Sequence, residues 1–88
     1  MASINTISKM SKSDRVARAA ELRATVDGIH GACQCGSMGE AADYIRESNE
    51  LPRWVRAVVK HLFYMPADRL YDAAVRELES EARRYEEV

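Results

Sequence analysis

Apolar residues recur along most of this chain at helical spacing. Ser13 followed by Asp14 makes a good helix start, with a serine cap and an acid at the positive end of the dipole. From there Ala19, Leu22, Val26 and Ile29 share one stripe with Val16 at its edge, and Gly28 and Gly31 let the chain leave the helix. A second start lies at Ser37-Met-Gly-Glu40, the spacing of a capping box, and opens a short helix that buries Met38, Ala41, Ala42 and Ile45 before Ser48 and Asn49 end it. Pro52 suits the first position of a third helix. Its arc of Leu51, Val55, Val58, Leu62 and Met65, flanked by Trp54 and Val59, marks the core helix. Pro66 stops that helix and opens the last one, over 67–86, where Ala67, Tyr71, Ala74, Val75, Leu78, Ala82 and Tyr85 share a face.

Nothing alternates at the period of a strand, no segment repeats, and no heptad persists. The expected fold is all-α: a small bundle of three to four helices with a long C-terminal helix. Residues 1–12 carry only Ile4, Ile7 and Met10 among polar positions and read as a flexible arm, leaving 13–88 as a single helical domain.

Composition narrows the class. With 88 residues there is room for one core, and 47% hydrophobic against 31% charged residues is a globular balance, not that of a disordered chain. The net charge of −1 gives no general reason to expect nucleic acid or an anionic membrane. Charge is unevenly distributed, however. Residues 1–36 hold five cations against three acids, 37–65 four against four, and 66–88 four against seven. No apolar run is long enough for a membrane span, and residues 1–10 lack the apolar core of a secretory signal. Two cysteines do not make a disulfide framework, so the expected setting is a reducing cytoplasm.

Candidate chemistry is sparse. His30, Cys33, Cys35 and His61 are the ligand types of a tetrahedral zinc site. One residue between the cysteines is tighter than structural zinc sites use, so the pair reads as reduced thiols in a glycine-rich turn, with no cofactor expected. No nucleophile context and no phosphate loop can be found, so no catalytic residue is assigned and the chain is not expected to be an enzyme. Arg53, Arg56 and Lys60 line the face opposite the apolar arc, with Phe63 and Tyr64 beside them. A cationic stripe with aromatics suits an acidic protein surface or a phosphate backbone.

Glu40-Ala-Ala-Asp43 followed by Arg53-Trp-Val-Arg56 resembles the two helices of a MerR-like or excisionase helix-turn-helix. It departs from that pattern in having Arg46 where the turn usually has glycine, and Pro52 inside the second helix. The resemblance implies a DNA-binding regulator using the Arg53/Arg56/Lys60 face.

The preferred expectation rests on the last helix, about 30 Å long, whose apolar face at Ala82 and Tyr85 outruns two shorter helices. It is a small helical protein–protein interaction module, an adaptor or inhibitor that occupies a partner's surface, of the type found among phage and mobile-element accessory factors. The expected partner-binding residues are Arg53, Arg56, Lys60, Phe63 and Tyr64. Tyr71, Leu78, Ala82 and Tyr85 are the expected face of a homodimer.

Overall fold

The computed structural model describes residues 3–47, 51 and 53–87. These form α1 (Ile4–Lys9), α2 (Lys12–Cys35), α3 (Met38–Glu47), α4 (Arg53–Val59), a 3-10 turn (Lys60–Leu62) and α5 (Ala67–Glu86), with no strand among the described residues. The all-α bundle with a long C-terminal helix is therefore what the chain adopts. Ser48, Asn49 and Pro52, expected at helix boundaries, lie outside the described residues.

The N-terminal segment is a helix and not a flexible arm. The Ser3 hydroxyl accepts the Thr6 amide at 3.2 Å, and Ile7 is fully buried where α1 meets α5. After that turn Ser11 caps α2, not Ser13, its hydroxyl accepting the Asp14 amide at 3.1 Å. Docking Ile7 fixes where the chain can re-enter a helix, so of two competent serines the earlier one caps.

A larger correction concerns the glycine-rich stretch. α2 runs for 24 residues, straight through Gly28, Gly31 and both cysteines, and ends only at Gly36. Glycine weakens a helix interior by about 1 kcal/mol per residue, a cost that packing readily exceeds. Here Ile29 is buried and Ala32 and Cys33 pack against the core, which holds the last turns in place. Gly28 is needed for a close approach: a Cβ there would meet the Tyr44 hydroxyl oxygen at 2.9 Å. At about 36 Å by helical rise, α2 accounts for the 38 Å long axis of a molecule 23 and 21 Å across.

The main packing seam joins α2 to α5, with α3 laid against both. Ala19, Leu22, Val26 and Ile29 are buried as the stripe predicts, while Val16 is exposed. From α5, Leu70, Ala74, Leu78, Ala82 and Tyr85 face inward, with Tyr71 and Val75 at the edge. Each large side chain buried here contributes about 1.5–3 kcal/mol. The face assigned to a second copy is thus consumed within the chain. Leu78, Ala82 and Tyr85 are core, and the half-buried Tyr71 has its hydroxyl hydrogen-bonded to His30 Nδ1. Cover at that end comes from the first turns of α2, whose Lys12, Arg15 and Val16 lie beside Tyr85, and from α1, which packs on α5.

Two acids on α5 also depart from a solvated face. Glu81 is buried, and both its oxygens accept from Arg84 Nη1, at 3.1 and 2.9 Å. Glu86 accepts from Arg23 Nε and Nη2, at 3.1 and 2.6 Å, tying the end of α5 to α2. No helix among the described residues is long and apolar enough to cross a membrane.

α3 begins with the Ser37 hydroxyl accepting the Glu40 amide at 3.2 Å and buries Ala41, Ala42 and Ile45. Met38, expected inside, is exposed. The segment expected to be the core helix is shorter and more peripheral. α4 spans seven residues, then tightens into the 3-10 turn at Val59. Leu51, Val55, Val58, Val59 and Leu62 are buried, whereas Met65 is only partly so.

Candidate functional site

The corner between α4 and α5 carries the arrangement that departs most from plain core and solvated surface. Its organising residue is Arg46, in the last turn of α3. Arg46 Nε donates to the Phe63 carbonyl at 2.9 Å, and Nη2 donates to the Met65 carbonyl at 2.7 Å. One guanidinium therefore holds the backbone on both sides of Tyr64. Those carbonyls leave the end of a helical segment, where a cation satisfies the free acceptors and the negative end of the dipole.

Between the two anchored peptides, Phe63 turns inward to pack on the core and Tyr64 is 97% exposed. The pair of outward-leaning aromatics expected from the sequence is thus one outward aromatic and one core residue. Consecutive positions point to opposite sides, and a core that already holds Leu62 accepts only one of the rings.

The cationic stripe is also redistributed. Arg53 and Lys60 are exposed, but Arg56 is half-buried. Its Nη2 donates to the Arg46 carbonyl at 3.5 Å, and its Nε is buried with no hydrogen-bond partner among the described residues. His61, on the 3-10 turn, is exposed.

Met65, next in the chain to Tyr64, forms one wall of an open groove of about 250 Å³ with Arg69, Asp72, Ala73 and Arg76. Two arginines against one aspartate leave it net cationic over an apolar floor. Neither Arg69 nor Arg76 is among the residues expected from the sequence to bind a partner. The signal was available in the spacing 65, 69, 72/73, 76, which places all five on one side of the start of α5.

A second open groove, about 420 Å³, is lined by Met10, Asp14, Ala17, Arg18, Glu21 and Trp54. The Arg18 guanidinium stands 4.4 Å over the Trp54 ring, a cation–π contact joining α2 to α4. Its charges are mixed and its arginine already stacks on Trp54, so it reads chiefly as a packing seam.

The four residues weighed as a zinc set are dispersed. His30 and Cys33 lie one helical turn apart on α2, exposed Cys35 ends that helix, and His61 sits on the 3-10 turn. Among the described residues no three His, Cys, Asp or Glu side chains converge as metal ligands. Tyr71 has its phenol pKa raised, first by burial and then by the nearby charges of Cys33 and Asp72. At the other end of the molecule, Glu86 is held below its ordinary value by its hydrogen bond to Arg23, and Arg23 is raised by the same contact.

Of the helix-turn-helix resemblance, Arg46 holds the Phe63 and Met65 carbonyls and α3 packs on α2 and α5, while most of the link between α3 and α4 lies outside the described residues. No protein-family model matches the chain, and no curated protein or solved structure shows a significant similarity to it.

Proposed function

We propose that this chain is a small helical protein-interaction module, an adaptor or inhibitor acting by surface occupation, with Tyr64 as its anchor. The observation that carries this reading is the two-sided hold of Arg46 on the peptides flanking a 97% exposed aromatic ring. A tyrosine presented from a fixed backbone loses little freedom on binding, and tyrosine and arginine dominate the energetic centres of protein interfaces. Arg53 and Lys60 on the same segment, with Arg69 and Arg76 along the adjoining groove, favour a partner segment that is acidic. The earlier patch is thereby redrawn, with Arg53, Lys60 and Tyr64 as contacts and Arg56 and Phe63 as their internal supports.

The test pairs capture with stability. Partner captured from native lysate by the wild-type chain is titrated against Tyr64→Ala and against the double variant Arg53→Glu/Lys60→Glu. Both should melt within about 0.5 kcal/mol of wild type, since they remove exposed groups. Both should bind at least ~10-fold more weakly. Unchanged affinity in the two together would refute the anchor. Strong retention on heparin that falls steeply with salt and is lost in the double variant would instead favour the DNA-binding alternative.

A further inference from the structure

At the junction of α2 and α3, two sulfur donors meet, with an imidazole one helical turn away, and the interaction reading uses none of them. Cys33 Sγ lies 3.7 Å from Met38 Sδ, across the turn at Gly36 and Ser37. His30 stands one turn before Cys33 on α2, and its Nδ1 is engaged by the Tyr71 hydroxyl. Its Nε2 makes no hydrogen bond among the described residues.

We propose that Cys33, Met38 and His30 form a three-coordinate site for monovalent copper. The donor set is thiolate, thioether and imidazole, the combination that selects Cu(I) over harder ions. Geometry supports it independently. Two sulfurs bound about 2.3 Å from one ion, at angles between tetrahedral and trigonal, stand about 3.8–4.0 Å apart. The observed 3.7 Å therefore needs an adjustment of only a few tenths of an ångström. Tyr71 completes the arrangement from outside. With Nε2 on the metal, Nδ1–H would donate to the Tyr71 hydroxyl oxygen, the role an orienting partner plays for metal-bound histidines.

Binding is a simple exchange. The Cys33 thiol gives up its proton to solvent, its sulfur bonds Cu(I), and the metal stays monovalent throughout. Met38 and His30 add neutral donors, so the Cu(I)–thiolate unit carries no net charge into a half-buried location. Cys35, two residues further along α2, points about 200° away around the helix and is exposed, so it takes no part. His61 belongs to a different corner of the molecule.

The experiment is an anaerobic titration of the full chain with Cu(I), kept reduced by ascorbate and competed against bicinchoninate. The expected result is one equivalent per chain. Cys33→Ser should abolish binding, and Met38→Leu or His30→Gln should weaken it at least ~10-fold. Tyr71→Phe, which removes only the orienting hydroxyl, should cost about 10-fold, while Cys35→Ser should match wild type. Met38→Leu keeps side-chain volume and helix propensity at an exposed position, so its result stands even if Cys33→Ser folds poorly. X-ray absorption at the copper edge should show two sulfurs and one nitrogen. Substoichiometric binding, full affinity in Met38→Leu, or equal losses from Cys35→Ser and Cys33→Ser would each overturn the site.

Discussion

The α2–α5 seam and the α4 corner are built on different principles. Along the seam two long helices meet over their whole length, and Leu22, Val26, Ile29, Leu70, Ala74 and Leu78 share the burial among many contacts. At the corner, the segment that follows a seven-residue helix and one 3-10 turn gives its Phe63 and Met65 carbonyls to a single arginine. A distributed interface degrades gradually as side chains are trimmed. A point attachment fails as a unit, and what it releases here is the segment that presents Tyr64. The two long helices thus carry most of the packing, and the segment anchored by Arg46 carries the proposed contact surface.

The largest expected effect breaks the seam. Leu78 is 1% exposed between the two long helices, so Leu78→Ala should cost about 2–5 kcal/mol by thermal or denaturant unfolding. Leu62→Ala, at the 9% exposed edge of the corner, should fall at the low end of that range or under it. A reversal of that order would mean that the corner and not the seam holds the core.

Next comes Arg46→Ala. Losing two charge-assisted hydrogen bonds to carbonyls should cost about 1–3 kcal/mol. Amide exchange should rise over residues 60–66 and stay near wild type in α2. Uniform acceleration along the chain would show that Arg46 supports the whole bundle and not one corner.

Gly31→Ala tests how far the seam extends. The glycine is in the helix interior, and a Cβ there meets nothing within 4 Å. The substitution should stabilise the protein by about 0.4–1 kcal/mol, through higher helix propensity and a less flexible unfolded chain. No gain, or a loss of helical circular dichroism, would indicate that α2 ends before Gly31.

The smallest effect is at the far end of the seam. Glu86 is exposed and has a folded-state pKa below its ordinary 4.5, because Arg23 hydrogen-bonds and attracts the ionised form. A depressed carboxyl pKa means that protonation favours unfolding. Its contribution is complete above the ordinary value and disappears as pH falls through the folded value. Wild type should therefore be slightly more stable than Glu86→Gln at neutral pH, with the two melts converging in acid and at high salt. A gap that survives pH 2 would have to come from packing.

How much was legible in the sequence differs between the two regions. The inward stripe of α2, the serine cap at Ser37, the start of α5 after Pro66 and the placement of Ala74, Leu78, Ala82 and Tyr85 on one face follow from periodicity and capping chemistry. These are local rules that need no knowledge of neighbours. They also determined the all-α class and the long final helix. At the corner the same rules identified Arg53, Lys60 and Tyr64 as surface but misassigned Arg56 and Phe63, which turn inward.

Tertiary structure decided the remainder. Gly28 and Gly31 stay helical because the turns they belong to are packed, a gain larger than the propensity they forfeit. Ala82 and Tyr85 look like leftover apolar surface until α1 and the first turns of α2 are packed on the end of α5. Arg46 reads as a helix-end cation in sequence, and only the return of the chain after the 3-10 turn brings the carbonyls of Phe63 and Met65 to it. The same holds for Cys33 and Met38, which the turn at Gly36 brings together, and for His30, whose partner Tyr71 comes from a distant helix. Periodicity specifies which side of a helix is apolar, whereas the partner of a polar group is chosen by three-dimensional proximity, which no local pattern encodes.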